Sequence, residues 1–357
     1  MAFEIDFLPV GSGTKSGDAI CVRYGNGYNQ ATIHVIDGGY TETGPEIVEH
    51  IRTTYGNPDF IDHVVLTHPD TDHVSGLFHV IENFSVGTLW MHRPWLYASE
   101  IIHRFHGNWT VDGLTRHLKD QFATLVELEK LAISRGVSVA SPLQGAEIGA
   151  FTVLAPERSR YLDIIVALPN TPAEVKSKKA SALHAFDMLI ERAKIAILKH
   201  VSEDWYNETL EEYPGATSPS NESSVVQATV LDGKKILLTG DVGPTGLQEA
   251  YDYASIRGFS QPDLMQVPHH GSRRNVTPSV LNCWLGGVVT EGYSHGYAVC
   301  SAAENDLDHP RAKVENAFLR RGYPVYSTKG QLKYYAEGVS RGYSYAQPAP
   351  FRTQVEE

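Results

Sequence analysis

"VVLTHPDTDH", residues 64 to 73, runs an apolar strand directly into His68, Asp70, Asp72 and His73. Four proton- or metal-binding groups packed this tightly admit two readings. They form a polar loop turning back over a sheet, or they converge on a cation. Three further segments repeat the pattern: "HVIDGG" with Asp37, "ILLTGD" with Asp241, and "LMQVPHHGS" with His269 and His270. Each is an apolar strand followed by oxygen or imidazole donors in a turn containing Gly, Pro or Thr. A single such segment caps a helix or closes a turn as readily as it binds anything. Four in succession place donors at the strand ends of one sheet edge, where open α/β sheets hold ligands. The metal reading prevails.

The donor types narrow the cation. Imidazole and carboxylate suit a borderline or hard divalent ion. Cys21, Cys283 and Cys300 lie far apart with no paired spacing, so neither a disulfide framework nor a thiolate zinc knuckle is expected. Two ions a few Å apart need about seven or eight ligands and one shared carboxylate, and this set supplies them.

The 357 residues suit one large elaborated domain spanning 1–357. A net charge of −12 argues against broad clamping of nucleic acid, which uses many Lys and Arg contacts to phosphate. It leaves room for a small phosphate-bearing substrate held by metal and a few local cations. No apolar run approaches the roughly 20 residues of a membrane helix. The N-terminal "MAFEIDFLPVGSG" lacks the basic region and cleavage site of a secretory signal. A cytoplasmic location without membrane contact is expected.

Strand-like runs at "FEIDFLPV", "DAICVRYG" and "ATIHVIDGG" precede a helix at "GPEIVEHIRTTYG". "VSGLFHVIENF" then reads as helix and "SVGTLWMH" as strand. Alternation of this kind predicts a layered α/β architecture. The middle third changes character. Residues 96–136 and a block from Glu174 to Tyr206 carry helical apolar spacing, with a strand at "EIGAFTVLAPE" between them. These blocks read as a helical insertion, about 96–212, on the α/β body. Strands resume at "SVVQATVLDGKKILLTGD", a hairpin turning at Asp232-Gly233. Further strands are expected at "DLMQVPHHGS", "GGVVTEG", "PVYST" and "QLKYY", with helices near 277–285 and at "HPRAKVENAFLRRG".

"THPDTDHVSGL" resembles the H-x-H-x-D-H signature of the metallo-β-lactamase superfamily, with Asp70 in the place of the second histidine. The H-P-D-x-D-H variant resembles the soluble hydrolase domain of ComEC/Rec2 competence proteins and their free-standing relatives. "SGDAICVRYGNG", "SNESSVV", "KKILLTGDV", "QPDLMQVPHHGS" and "DHPRAKVENAFLRRGYPVYST" are similar to that group's other landmarks, in order. The resemblance implies an αββα sandwich, two divalent ions, zinc or manganese, and hydrolysis by a metal-bridged hydroxide.

Carried onto this sequence, it implies that His68 and Asp70 hold one ion and Asp72 with His73 the other. Asp241 would bridge and His270 would be the third-segment ligand. His269 would face the substrate or assist proton transfer alongside Asp72. His309 would be a further ligand or a substrate contact. Asp37 would orient a ligand imidazole. Asn221 and Ser223 stand where a histidine ligand usually lies, which with Asp70 makes one subsite richer in oxygen. Ser272, Arg273 and Arg274 follow the "HH" pair and are suited to phosphate.

The expected activity is a phosphodiesterase or nuclease acting on a phosphoester, either nucleic acid or a nucleotide. Hydrolysis of a thioester, lactone or amide on the same fold is the enzymatic alternative. A non-catalytic partner-binding protein is the other. The insertion helices are amphipathic and need an apolar surface. They would overhang the strand ends as a lid, bringing Trp95, His103, Trp109 and Lys176 near the substrate, or form a homodimer interface.

Overall fold

The computed structural model describes residues 2–11, 13–25, 31–168, 171–172 and 200–357. Its first eight strands are β1 (Ala2–Phe7), β2 (Ile20–Gly25), β3 (Ala31–Ile36), β4 (Phe60–Val65), β5 (Ser85–Trp90), β6 (Ser138–Ala140), β7 (Glu147–Ile148) and β8 (Phe151–Ala155). There follow β9 (His200–Ser202), β10 (Val226–Leu231), β11 (Lys234–Leu238), β12 (Leu264–Gln266), β13 (Tyr297–Cys300), β14 (Val325–Ser327), β15 (Lys333–Glu337) and β16 (Gln354–Glu356). One seven-stranded sheet is ordered β15-β1-β2-β3-β4-β5-β6 and the other β14-β13-β12-β11-β10-β8-β7. β9 and β16 pair apart from both.

Each sheet is antiparallel on one side and parallel on the other. β3 to β6 run parallel in the first sheet, and β11 to β14 in the second. Parallel neighbours need crossovers, and crossover helices cover the outer faces. Helices Thr43–Thr54 and Leu77–Asn83 cover the first sheet, packing Ile47, Ile51, Leu77 and Ile81 against Val35, Val64 and Leu89. Helices Pro244–Ser255, Pro278–Leu285 and Ala312–Leu319 cover the second, packing Leu247, Leu281 and Phe318 against Leu237 and Met265. Between the sheets Phe3, Ile5, Phe7 and Val65 meet Phe151, Ile236, Leu238 and Leu264. Ile236 and Leu238 face inward and Leu237 outward, which is the two-residue strand period at work. The result is the expected αββα sandwich. The hairpin at Asp232-Gly233 also forms, both residues at positive φ.

Three expectations meet a different arrangement. Helices Val111–Gln121 and Ala123–Ser134, read as part of an insertion, lie on the β5-to-β6 crossover. Their stripe, Leu114, Leu118, Leu125 and Leu128, is buried in the core of the first sheet. β6, β7 and β8 then join the two sheets. An amphipathic helix needs only one apolar face to bury against, and here the sheet supplies it. The second helical block falls mostly outside the described residues, as does Lys176, and its end at 200–202 is β9, paired with β16. The strand expected at 286–292 is a turn beginning with Gly286 at φ 89°, and the paired strand is β13. Val288 there is exposed, whereas Ala298 and Cys300 of β13 are in the core.

Candidate metal centre

The parallel halves of the two sheets point their C-terminal ends toward one edge, and the four ligand-rich turns leave from those ends. Backbone hydrogen bonds lock the turns to one another. Asp37 N–H donates to Val65 O (2.8 Å), Gly38 N–H to His73 O (2.6 Å), and His269 N–H to Gly240 O (3.2 Å). A Cβ on Gly76 would meet Gly38 O at 2.0 Å, so the glycine of "HVSGL" is required by close approach. Asp37, His269 and His270 hold left-handed backbone, with φ of 56°, 47° and 54°. Such non-glycine conformations cost on the order of 1–3 kcal/mol each and persist where the surroundings over-determine them.

Around Asp241 Oδ2 stand four imidazole Nε2 atoms, from His73 (3.4 Å), His269 (3.7 Å), His270 (3.7 Å) and His68 (3.8 Å). These separations are too long for hydrogen bonds. They match ligands around shared ions, because donors about 2.1 Å from one cation lie roughly 3.4 Å apart. Asp72 Oδ2 is 3.6 Å from His270 Nε2 and 3.7 Å from His73 Nε2, and Asp70 Oδ2 is 3.6 Å from His68 Nε2. Asp241 thus stands among all four imidazoles, with Asp72 beside His73 and His270 and Asp70 beside His68.

Every ring is turned by its other nitrogen. His73 Nδ1–H donates to Asp37 (2.7 Å), His269 Nδ1–H to the Asn275 amide oxygen (2.9 Å), and His270 Nδ1–H to Ser301 O (3.0 Å). Thr67 donates its hydroxyl to Asp37 (2.6 Å) and is 3.0 Å from His68 Nδ1, which is therefore the donor. Nε2 is the nitrogen left facing Asp241 in all four. His68 Nε2, His73 Nε2, His270 Nε2 and Asp241 Oδ1 are buried with no hydrogen-bond partner. Buried polar atoms are rarely left so. The residues present fit divalent ions.

The electrostatics agree with a site for cations. Burial opposes charge on Asp241, but His73, His270 and His269 hold its carboxyl well below the usual range. Burial likewise disfavours protonated His270, yet Asp241, Asp72 and Asp18 lift it to about 9. Asp70 sits at about 2, where His68 and Ser220 outweigh burial. The surrounding carboxylates favour positive charge at His68, His73 and His270, and metal binding would displace those protons.

Asp18 was not among the sequence candidates. Its carboxylate groups with His73, Asp241 and His270, ligand atoms all within 4.8 Å of one another. It accepts from Gln266 Nε2 (3.0 Å), and its Oδ1 is buried without a partner. The aspartate opens β2 in "SGDAI", which reads as strand entry. Its only signal is Gly17, where a Cβ would meet Asp72 O at 2.6 Å.

The other candidates separate from this cluster. His309 turns Nδ1 to Asp306 (3.2 Å), and its ring faces that of His269 with centroids 6.2 Å apart. Asn221 Nδ2 lies 3.1 Å from His269 Nδ1, on the orienting side. Ser272 is buried and its N–H donates to His269 O (2.9 Å). Arg273 turns to the Glu357 carbonyl and lies 3.9 Å from Glu211. Arg274 is half-buried, with its N–H 3.4 Å from Ser272 Oγ. Trp95 is buried in the first-sheet core and Trp109 packs against that core; His103 is exposed.

An αββα sandwich with imidazole and carboxylate donors gathered at its strand-end edge defines a class of metal-binding proteins. Residues 28–134 match the family described as the metallo-beta-lactamase superfamily. Among solved structures, the chain is similar to Zn(2+)-bound PqqB from Methylobacterium extorquens, at 11% identity and TM-score 0.42, covering 93% of this chain and 99% of that one. It is similar to Tm1679, a metal-dependent hydrolase of the beta-lactamase superfamily, at 11% identity and TM-score 0.42, covering 95% and 99%. It is also similar to a long form RNase Z from yeast, at 10% identity and TM-score 0.39, covering 93% of this chain and 41% of that one. No curated protein matches the chain. Among the described residues, no helix is long and apolar enough to cross a membrane.

Proposed function

We propose that the protein is a dinuclear metal-dependent hydrolase of phosphodiesters. The observation that carries this is Asp241 within 3.8 Å of four imidazole nitrogens, with Asp72 beside two of them and Asp70 beside a third. When bound, the ions supply the Lewis acidity that hydrolysis at neutral pH requires. Two adjacent cations suit a phosphoryl centre, whose attacking and leaving oxygens both carry charge during in-line displacement. Asp70, standing where the resembled signature has its second histidine, adds a carboxylate to the donors and favours manganese alongside zinc. The ComEC-like form of the "HPDTDH" segment supports the same substrate class.

The protein's own residues divide the remaining work. His68, His73 and His270 are sealed from solvent, whereas Asp70, Asp72 and His269 keep 42%, 23% and 31% of their side chains exposed. Substrate therefore approaches over Asp70, Asp72 and His269. Ser220 donates to Asp70 (2.5 Å), fixing that carboxylate at the opening. His309, held by Asp306 beside His269, is placed to touch an incoming phosphate.

The test is metal-depleted protein reconstituted with zinc or manganese and assayed on bis-p-nitrophenyl phosphate, a p-nitrophenyl ester and a lactone. Chelator-sensitive turnover of the phosphodiester is expected. Turnover confined to the ester or lactone would replace the phosphodiester reading. Full metal loading with no turnover of any of them would favour a binding protein.

A further inference from the structure

Outside the ligand cluster, helix Ala312–Leu319, the end of β14 and the C-terminal segment around 347–352 line an open cavity of about 320 Å³. Its lining brings three cations, Lys329, Lys333 and Arg352, against one carboxylate, Glu315, with Ser327 and Gln347 among the other polar groups. That balance runs opposite to a chain with 30 basic and 42 acidic residues. Two of these groups are left wanting. Glu315 is 5% exposed, and its Oε2 has no hydrogen-bond partner. Arg352 Nη2 lies 3.2 Å from that oxygen without the alignment of a hydrogen bond. Ser327 Oγ is also buried and unpartnered.

We propose that this cavity binds a tetrahedral oxyanion, either free phosphate or the phosphoryl group of a small metabolite. The volume lies at the lower end of the range for small-molecule sites, about 300–1,000 Å³. Lys329 gives one hydrogen to Asp306 O (2.9 Å) and Lys333 lies 3.3 Å from Gln331 Oε1, leaving each ammonium two further donors. Charge-assisted hydrogen bonds from these and Arg352 are the strong kind that phosphate recognition uses. Ser327 adds a neutral donor.

Glu315 makes the site proton-linked. Burial raises its carboxyl to about 7, against the pull of Arg352 and Lys329 and with a push from Glu356. A bound anion repels the carboxylate form and accepts from the protonated one. Binding therefore takes up a proton, and affinity falls as pH rises through 7.

Sulfate is the probe, because it stays a dianion across this range. Calorimetric titration of the full chain at pH 6 and pH 8 should show saturable binding about tenfold tighter at pH 6. The Lys333→Ala/Arg352→Ala double variant, altered at the half-buried Lys333 and the exposed Arg352, should weaken binding by about tenfold or more. The metal-ligating histidines are common to both proteins, so the difference reads this cavity. Glu315→Gln should bind with little pH dependence. Glycerol 3-phosphate binding tighter than inorganic phosphate identifies a metabolite's phosphoryl group, and the reverse order identifies the free ion. No saturable binding, or binding undiminished in the double variant, overturns the proposal.

Discussion

Four histidines turn the same ring nitrogen toward Asp241, but the two sheets hold them by different means. On the first sheet the holder is charged. Asp37 accepts from His73 directly and steadies His68 through the Thr67 hydroxyl. On the second sheet the holders are neutral, the Asn275 amide for His269 and the Ser301 carbonyl for His270. A carboxylate behind an imidazole raises its basicity as well as fixing its direction, whereas an amide or carbonyl mainly fixes direction. Burial lowers the pKa of both His73 and His269. Asp241 and Asp37 nevertheless carry His73 well above its ordinary value, while His269 stays below its own. The charged holder therefore goes with the stronger base in His73, and the Asn275 amide with the weaker one in His269.

The largest effect should come where the sheets share a ligand. Asp241→Ala should lower turnover by roughly 10³-fold or more, about 4 kcal/mol of barrier. Metal per chain, read by elemental analysis, should fall with it. Activity within a few-fold of wild type would remove Asp241 from the shared position. Next is the charged holder. Asp37→Asn keeps the shape and suits the left-handed backbone at φ 56°. It should weaken metal affinity by about 10- to 100-fold in chelator competition. An unchanged affinity would show that charge behind His73 is immaterial.

The neutral holder should matter less. Asn275→Ala should weaken metal affinity about tenfold at most. It also strands Asp241 O and Val242 O, which Asn275 Nδ2 now supplies at 2.8 and 3.2 Å. Stability should therefore fall by about 1–3 kcal/mol in denaturant titration. A loss of affinity equal to that of Asp37→Asn would erase the distinction between the sheets.

The sequence marked more of the clustered side chains than of the groups that hold them, for physical reasons. A ligand turn follows an apolar strand, so periodicity and turn chemistry mark His68, His73, Asp241 and His270 together. The sheets were legible for the same reason, since a strand such as β11 alternates its faces in sequence. Asn275 and Ser301 hold their histidines by a lone amide and a backbone carbonyl, which leave no compositional trace. Asp18 is hidden likewise, because it meets His73 only through the fold. The helices near 111–134 were visible as amphipathic, but the apolar surface they cover lies in distant sequence. Arg273 shows the opposite failure. Its place beside "HHGS" suggested phosphate, yet Glu211 and the Glu357 carbonyl claim it.

His92 supplies the third case, a histidine with no holder. It lies just beyond β5, 4% exposed, stacked on Tyr161 at 4.2 Å, with neither ring nitrogen hydrogen-bonded. Burial lowers its pKa to about 3, with Arg160 adding to the shift and the Ser223 backbone opposing it. The unfolded chain takes up a proton near the ordinary value of about 6.5, while the folded chain refuses it until about pH 3. Between those values the unfolded state holds more protons, so stability rises with pH and is fully present above about 6.5. As pH falls through the window, this one group removes up to about 1.4 kcal/mol per pH unit. His92→Phe keeps the ring on Tyr161 and cannot be protonated. Denaturant titrations from pH 7 to pH 4 should give a shallower loss of stability in the variant, with metal affinity at pH 7 unaltered. Parallel losses in the two proteins would mean that the folded state accommodates a charged His92. A change in metal affinity would make His92 part of the centre.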